Sequence, residues 1–178
     1  MRDRRVLLVG FMGSGKSTVG PLLARALSWP FLDADACVEA EEGRTIRDIF
    51  REKGEPYFRE VERRVTDSLL FRRGVVLASG GGWAGVPGRL RTLPEGTVSV
   101  WLRVSAEVAV ARAGGSGRPL LDGPNALEAA RRLLRIREAA YAQADLEVDT
   151  DGRTPEDVNA TIMALLERRA SDSAVGMR

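Results

Sequence analysis

The segment GFMGSGKS at residues 10–17 restricts the fold of this chain more than any other feature of its sequence. It matches the P-loop pattern GxxxxGK(S/T), directly after the apolar run Arg5–Val9 and directly before a helical pattern, Lys16–Leu27. In a P-loop, backbone N–H groups surround the phosphates of a nucleotide, the lysine contacts the outer phosphates and the hydroxyl binds Mg²⁺. The N-terminal end of the following helix adds positive potential there. We therefore predict that the chain binds ATP at this loop.

The lysine at position 16 supports this interpretation. The chain contains only two lysines but 25 arginines, and Lys16 is one of the two. An ammonium group is a compact point charge, whereas a guanidinium is a planar fork, so lysine suits the crowded end of a phosphate chain. The alternative is a glycine turn that binds no ligand, but it would not explain why one of the two lysines of the chain stands at position 16.

The rest of the chain alternates between predicted strands and predicted helices. Apolar runs at residues 31–32, 75–78, 98–102 and 146–148 predict four further strands. Helical patterns begin near residues 36, 45 and 56, and Thr45 with Asp48 resembles a capping box. This alternation predicts right-handed crossovers and a five-stranded parallel sheet covered by helices on both faces. We therefore expect a three-layer α/β fold whose ligands bind beyond the carboxyl ends of the strands.

Composition excludes several classes of protein. The chain has no histidine, which removes the commonest general base and most zinc sites, so acid and base chemistry must rest on carboxylates. The single cysteine, Cys37, cannot form an intrachain disulfide, and a cytoplasmic protein is the default expectation. A net charge of +2 with scattered basic residues argues against nucleic acid as the main partner. No apolar run is long enough for a membrane span.

The length of 178 residues suits one domain. We expect the domain to cover residues 1–169, to be a monomer and to be followed by a disordered tail at residues 170–178, where no periodic pattern is found. The Gly- and Pro-rich segment at residues 113–125 lies between two helical patterns and contains one arginine, Arg118. We interpret this segment as a lid that brings Arg118 to the transferring phosphate.

Two acidic side chains follow the second predicted strand. Asp33 and Asp35 could both face the γ-phosphate, one toward Mg²⁺ and one toward a substrate hydroxyl. The third strand ends in Ser79 and lacks the aspartate often found there, which makes Asp33 the best metal candidate. Simple helix capping by these carboxylates is an equal alternative.

Three further features indicate a small anionic substrate. The glycine run at residues 80–82 follows a buried strand and permits close approach of a ligand, unless it is only a loose loop. Glu62 stands three residues after Arg59, and it either holds this guanidinium for a ligand or forms a plain surface ion pair. Arg137 lies on the apolar face of its helix together with Tyr141, and an arginine in a buried stripe needs an anion.

The motifs GFMGSGKSTVG, FLDAD, GEPYFRxxE, SGGG, RPLL and RxxxY, in this order and at these spacings, resemble those of shikimate kinases. The resemblance covers roughly residues 6–166. It implies a P-loop kinase fold of the nucleoside monophosphate kinase type, with a substrate-binding helical region at about residues 33–62 and a lid. It also implies transfer of the ATP γ-phosphoryl group to the 3-hydroxyl of shikimate, a step of chorismate and aromatic amino acid biosynthesis.

The resemblance implies a role for each matching residue. Asp35 would accept hydrogen bonds from the ring hydroxyls, including the one to be phosphorylated, while Lys16 and Arg118 stabilise the γ-phosphoryl group. Ser17 and Asp33 would hold Mg²⁺. The shikimate carboxylate would be bound by Arg59, Gly80, Gly81, Gly82 and Arg137. ATP would be bound by Gly13, Ser14, Gly15, Lys16, Ser17, Thr18, Arg112, Arg118, Arg153 and Pro155, with Arg112 on one side of the adenine and residues 153–155 on the other.

The sequence departs from the family pattern at Trp83, where a small residue usually follows the glycines. Trp83 either packs over the third strand, the favoured interpretation, or lines the substrate pocket. Two other functions are considered: a P-loop kinase for another small hydroxy acid such as gluconate, and a catalytically silent nucleotide-binding module. A gluconate kinase would not explain both Arg59 and Arg137, and the retained phosphate-binding and acidic residues argue against a silent module.

Overall fold

The computed structural model describes residues 4–113 and 124–175, in which strands and helices alternate. The strands are β1 (Arg5–Val9), β2 (Phe31–Asp33), β3 (Val75–Ala78), β4 (Thr97–Arg103) and β5 (Leu146–Asp149). The helices are α1 (Lys16–Leu27), α2 (Ala34–Glu42), α3 (Ile46–Leu69), α4 (Ala106–Ala113), α5 (Ala126–Tyr141) and α6 (Pro155–Val175), with a 3₁₀ turn at Arg89–Thr92. None of the helices in these two ranges has the length and apolar composition needed to cross a membrane.

The strands form one sheet in the order β2-β3-β1-β4-β5, and every neighbouring pair is parallel. This confirms the predicted five-stranded parallel sheet, and β1 and β3 have the bounds expected from the sequence. The central strand β1 is buried throughout, as the apolar run at residues 6–9 predicts for a strand covered on both faces, and Arg5 at its start is buried too. Asp33, at the end of β2, pairs in register with Ala78, at the end of β3, so the loops after these strands meet at the same edge.

Side chains of β1 alternate between two layers of core. Leu7 belongs to the same buried cluster as Tyr141 of α5, whereas Leu8 belongs to the cluster that contains Leu23 of α1 and Ile162 of α6. Successive side chains of a strand point to opposite faces, so these clusters lie on opposite sides of the sheet. The predicted three-layer arrangement is confirmed.

Helix α3 is interrupted at Gly54, whose φ of 81° and ψ of 168° are not helical. This break explains why the sequence contains two successive helical patterns, the second of them near Pro56. Thr45 caps the first half, because its Oγ1 accepts a hydrogen bond from the Asp48 backbone N–H at 3.1 Å, as the capping box predicts. The second half buries Phe58 and carries the predicted substrate residue Arg59.

Helix α6 extends to Val175, past residue 169, where we expected the domain to end. Residues 170–175, which the sequence analysis assigned to the tail, continue this helix, and the rest of the predicted tail lies outside the described residues. Once a helix is nucleated, each further residue adds a backbone hydrogen bond, so a segment without apolar periodicity can still extend it. In this extension Ser171 Oγ donates to the Glu167 carbonyl oxygen at 3.1 Å.

Candidate active site

The loop between β1 and α1 has a backbone shape that requires glycine. Gly10, Gly13 and Gly15 have positive φ angles of 138°, 76° and 94°. A Cβ at Gly10 would lie 2.5 Å from the carbonyl oxygen of Leu102, a backbone atom that cannot easily move. The loop borders a cleft of about 370 Å³, which is lined by Gly13, Gly15, Lys16, Ser17, Thr18, Arg112 and Ala113.

Lys16, the predicted phosphate ligand, folds over its own loop. The residue is buried, and its Nζ donates to the carbonyl oxygens of Gly10 and Phe11, both at 2.9 Å. These contacts place the ammonium charge within the loop, beside the cleft that the loop borders. A ligand phosphate in that cleft would find a positively charged donor already close to its binding position.

Asp33 caps a helix and also contacts the P-loop. Its Oδ2 accepts a hydrogen bond from Ser17 Oγ at 2.5 Å, which joins the end of β2 to the end of the P-loop. Its Oδ1 accepts from the Asp35 backbone N–H at 3.0 Å and so caps α2. Helix capping and proximity to the Ser17 hydroxyl, the predicted Mg²⁺ ligand, are therefore compatible, because each uses a different carboxylate oxygen.

Asp35 lies in the first turn of α2 and faces the glycine run after β3. A Cβ at Gly80 would lie 3.0 Å from Asp35 Oδ1 and 2.0 Å from Glu62 Oε1. The absence of a side chain at position 80 thus leaves room for two carboxylates. The predicted hydroxyl acceptor and the glycine run are brought together, as the sequence prediction requires.

Arg59 is held by two carboxylates of its own helix. Its Nη1 donates to Glu62 Oε2 at 2.8 Å, and its Nε donates to Glu55 Oε1 at 3.1 Å. Burial opposes the charge of Arg59, but Glu62 and Glu55 together hold the pKa of its guanidinium above the usual value. A Cβ at Gly82 would lie only 2.0 Å from Arg59 Nη1, so the guanidinium packs directly on the glycine run.

Arg137 is buried, as the apolar face of α5 predicts, with 9% of its surface exposed. Its Nη1 has no hydrogen-bond partner among residues 4–113 and 124–175. The aliphatic part of its side chain packs on Gly85, where an added Cβ would lie 2.7 Å from Arg137 Cγ and Cδ. Arg137 also interacts with the Tyr141 side chain, but an unsatisfied donor in a buried guanidinium is energetically costly, which is the condition expected of a group that binds an anionic ligand.

Several residues that were predicted to bind the nucleotide line a second cavity beside the P-loop. Arg112 reaches across from α4, and its Nη2 donates to the Thr150 carbonyl oxygen at 2.7 Å. Arg153 Nη1 donates to the Asp149 carbonyl oxygen at 3.2 Å, at the end of β5. The cavity has a volume of about 180 Å³ and is lined by Ser14, Gly15, Thr18, Val19, Arg112, Thr150, Arg153, Pro155 and Val158.

Trp83 is a packing residue, which was the favoured interpretation. It is buried, its indole N–H donates to Asp67 Oδ1 at 2.9 Å, and the Arg89 guanidinium lies 5.2 Å from its ring centroid. The predicted lid at residues 113–125 and its Arg118 fall almost wholly outside the described residues, so both stay predictions.

Three residues beside the site were not predicted to belong to it. Glu62 was considered only as a partner of Arg59, although it is fully buried. Thr150 follows β5 and contacts Arg112, which no sequence motif indicates. Tyr141 was assigned to the apolar stripe of α5, but its hydroxyl donates to the Gly81 carbonyl oxygen at 2.5 Å.

The chain is similar to known proteins both in sequence and in structure. A sequence model of the shikimate kinase family matches residues 12–167. A shikimate kinase of Moorella thermoacetica is 47% identical over 149 residues, which cover 83% of this chain and 86% of that protein. A solved structure of shikimate kinase from Acinetobacter baumannii in complex with shikimate has a TM-score of 0.87 and 34% identity, and the match covers 93% of this chain and 94% of that one.

A kinase for a different substrate is also similar in structure. A gluconokinase from Sinorhizobium meliloti has a TM-score of 0.67 and 22% identity, with 99% of each chain covered. At this identity the likeness shows a shared fold and does not extend to the substrate.

Proposed function

The chain belongs to the shikimate kinase family, and from this premise we propose that it transfers the γ-phosphoryl group of ATP to the 3-hydroxyl of shikimate, giving shikimate 3-phosphate and ADP. The buried Arg137, whose Nη1 has no partner in the described part of the chain, is the observation that carries this proposal. The P-loop explains the binding of the nucleotide, whereas the buried Arg137 indicates that the molecule receiving the phosphoryl group carries a negative charge.

The acceptor carboxylate is proposed to bind between Arg137, Arg59 and the glycine run at residues 80–82. Two guanidinium groups offer charge-assisted hydrogen bonds, which are stronger than those between neutral groups. Glu62 and Glu55 already fix the orientation of Arg59, so little side-chain entropy is lost when the ligand binds. These contacts support a substrate region at about residues 33–62, with further contacts from the glycine run after β3 and from α5.

Phosphoryl transfer then depends on positioning and on charge neutralisation. Asp35 is proposed to accept a hydrogen bond from the reacting hydroxyl and to orient it toward the γ-phosphate. Lys16 neutralises charge on the phosphoryl oxygens, and Arg118 of the proposed lid at residues 113–125 contributes a second positive charge. Because the transition state of such a transfer is loose, correct placement of the hydroxyl matters more than the basicity of Asp35.

Mg²⁺ is proposed to bind at Ser17 and Asp33. Hydroxyl and carboxylate oxygens are the ligands that Mg²⁺ prefers, and these two oxygens are 2.5 Å apart at the end of the P-loop. Mg²⁺ usually keeps several waters and binds through one or two protein oxygens together with substrate phosphates. When bound, Mg²⁺ would neutralise charge on the phosphate oxygens of ATP.

The adenine is proposed to lie in the cavity between Arg112 and residues 153–155. Arg112 is held by Thr150, so its planar guanidinium is available as a stacking surface. Residence in the cytoplasm and a monomeric state stay predictions from the sequence.

The substrate is tested by a panel of acceptors. Purified protein with ATP and Mg²⁺ is expected to release ADP when shikimate is supplied, and only at background rate with gluconate or nucleoside monophosphates. A coupled assay for ADP measures the rate, and omission of Mg²⁺ should abolish it. Turnover with gluconate in place of shikimate would favour the other hydroxy-acid kinase, and no turnover with any acceptor would favour the silent module.

The metal role of Asp33 can be separated from its capping role by Asp33→Asn. Asparagine caps helices about as well as aspartate but lacks the negative charge. The Mg²⁺ concentration for half-maximal activity is expected to rise by about tenfold or more, while the unfolding temperature stays close to that of the wild type. Asp48→Asn, at the capping box of α3, is the matched control and should leave the Mg²⁺ dependence unchanged. If the Mg²⁺ dependence of Asp33→Asn were unaltered, Asp33 would have no metal role and would only cap α2.

A further inference from the structure

Tyr141 is the last residue of α5, one helical turn after Arg137, and its hydroxyl reaches the glycine run. The residue is fully buried, and its hydroxyl donates to the Gly81 carbonyl oxygen at 2.5 Å. Burial raises the pKa of Tyr141 to about 12, although the nearby charge of Arg137 acts in the opposite direction. The phenol therefore keeps its proton at neutral pH and is a permanent donor to this carbonyl.

The glycine run needs an external group to fix its conformation. Three successive glycines have more backbone freedom than any other tripeptide, and they carry no side chain that could anchor them. A side chain at either end of the run would displace the groups that pack on it, because a Cβ at Gly80 would lie 2.0 Å from Glu62 Oε1 and a Cβ at Gly82 would lie 2.0 Å from Arg59 Nη1. Because the run has no side chains, only hydrogen bonds of its backbone can fix its conformation.

The hydrogen bond from Tyr141 determines the direction of one particular amide. The carbonyl of Gly81 and the N–H of Gly82 belong to the same planar trans peptide, so they point in opposite directions. When Tyr141 holds the carbonyl on the α5 side, the N–H of Gly82 is directed away from Tyr141. Gly82 is also the residue on which the Arg59 guanidinium packs.

We infer that Tyr141 is a positioning residue for substrate binding: it holds the Gly81–Gly82 peptide so that the Gly82 N–H can donate to the carboxylate bound by Arg59 and Arg137. This inference rests on the proposed function, which supplies the carboxylate. Because Tyr141 and Arg137 lie on the same helix, one rigid element positions both the backbone donor and a guanidinium.

Tyr141→Phe removes the hydroxyl, and with it both the hydrogen bond to the Gly81 carbonyl oxygen and the interaction with Arg137, so exchange at the Gly82 amide is needed as a second measurement. The Michaelis constant for shikimate is expected to rise about tenfold, as for the loss of one well-placed hydrogen bond. The Michaelis constant for ATP should stay nearly constant, because the P-loop is not altered. Thr66→Val is the matched control, since Thr66 Oγ1 is a buried hydroxyl without a hydrogen-bond partner in the described residues. It should leave both constants unchanged.

A shikimate analogue with a hydroxymethyl group in place of the carboxylate separates a loss of carboxylate binding from a general structural defect of the variant. With this analogue, wild type and Tyr141→Phe should have nearly the same Michaelis constant, because the carboxylate that the amide would bind is missing. A rise shared by shikimate, the analogue and ATP would mean a purely structural role and overturn the inference. An unchanged constant for shikimate would overturn it as well, with the proposed function intact.

Hydrogen exchange in the wild type gives a test that does not depend on the variant. Saturating shikimate is expected to slow exchange of the Gly82 amide, whereas the hydroxymethyl analogue at saturation should not. Protection by both ligands or by neither would contradict a carboxylate contact at this amide. A wild type without any shikimate-dependent turnover would overturn the proposed function and this inference together.

Discussion

Lys16→Met is expected to lower kcat by about a thousandfold, the loss seen when one preorganised donor to a developing charge is removed. Methionine keeps the length and the apolar stem of the side chain but carries no charge. Lys16 Nζ lies within the P-loop, where it donates to the carbonyl oxygens of Gly10 and Phe11. In the low dielectric of a closed site, its charge would act on the transferring phosphoryl group far more strongly than a surface charge. The measurement is kcat at saturating ATP and shikimate, with the unfolding temperature recorded in parallel.

The other lysine of the chain provides the control for this prediction. Lys53 is partly exposed on α3, where its Nζ donates to Tyr57 Oη at 2.8 Å and to Glu42 Oε2 at 3.3 Å. Lys53→Met removes the same charge and should change kcat little. Lys16→Arg keeps the charge but replaces a compact donor with a planar fork, and we expect it to restore little activity. If Lys16→Met lost no more activity than Lys53→Met, the proposed role of Lys16 would be wrong.

The sheet could be predicted from the sequence because buried parallel strands are apolar throughout their length. Residues 6–9 and 75–78 are such runs, and they form all of β1 except Arg5 and the whole of β3. The strand β4 is longer than its apolar part, since Thr97 and Arg103 also pair with neighbouring strands although their side chains are polar. Strand ends are determined by backbone hydrogen bonds, and hydropathy does not report these.

The position of Asp33 beside Ser17 could be predicted only in part. The alternation of strands and helices implies that both residues lie at the carboxyl edge of the sheet. The distance between them depends on the strand order, in which β3 separates β2 from β1. Several orders are compatible with right-handed crossovers, so the contact at 2.5 Å required the structure.

The roles of buried polar atoms were the least predictable part of the site. Helical periodicity correctly placed Arg137 and Tyr141 on the buried face of α5. An arginine on such a face signals a ligand because guanidinium is rarely buried alone, whereas a tyrosine there looks like any other core residue. The hydroxyl of Tyr141 contacts a residue 60 positions away in sequence, and local patterns contain no information on such a contact.

The second large effect is expected for Arg137→Met. This change should raise the Michaelis constant for shikimate by about a hundredfold, because it removes a buried charge-assisted contact. Methionine retains an apolar stem that can pack on Gly85, so the change removes mainly the guanidinium. The Michaelis constant for ATP should stay nearly unchanged, because Arg137 does not line the P-loop cleft or the cavity beside Arg112. Both constants come from the coupled ADP assay with one substrate varied at a time.

The loss of shikimate affinity in Arg137→Met is not expected to be accompanied by a loss of stability. In the free protein the Arg137 guanidinium is buried, and its Nη1 has no partner in the described residues, so the cation contributes an unfavourable desolvation term. Removing the charge should therefore leave the unfolding temperature unchanged or raise it, while substrate affinity falls. A residue that only packs the core would show the reverse, with loss of stability and equal losses for both substrates. Arg135→Met, an exposed arginine of the same helix, is the control that should alter neither quantity. Weaker shikimate binding together with undiminished stability would mean that the chain keeps a costly buried cation for its ligand, as expected of a binding residue.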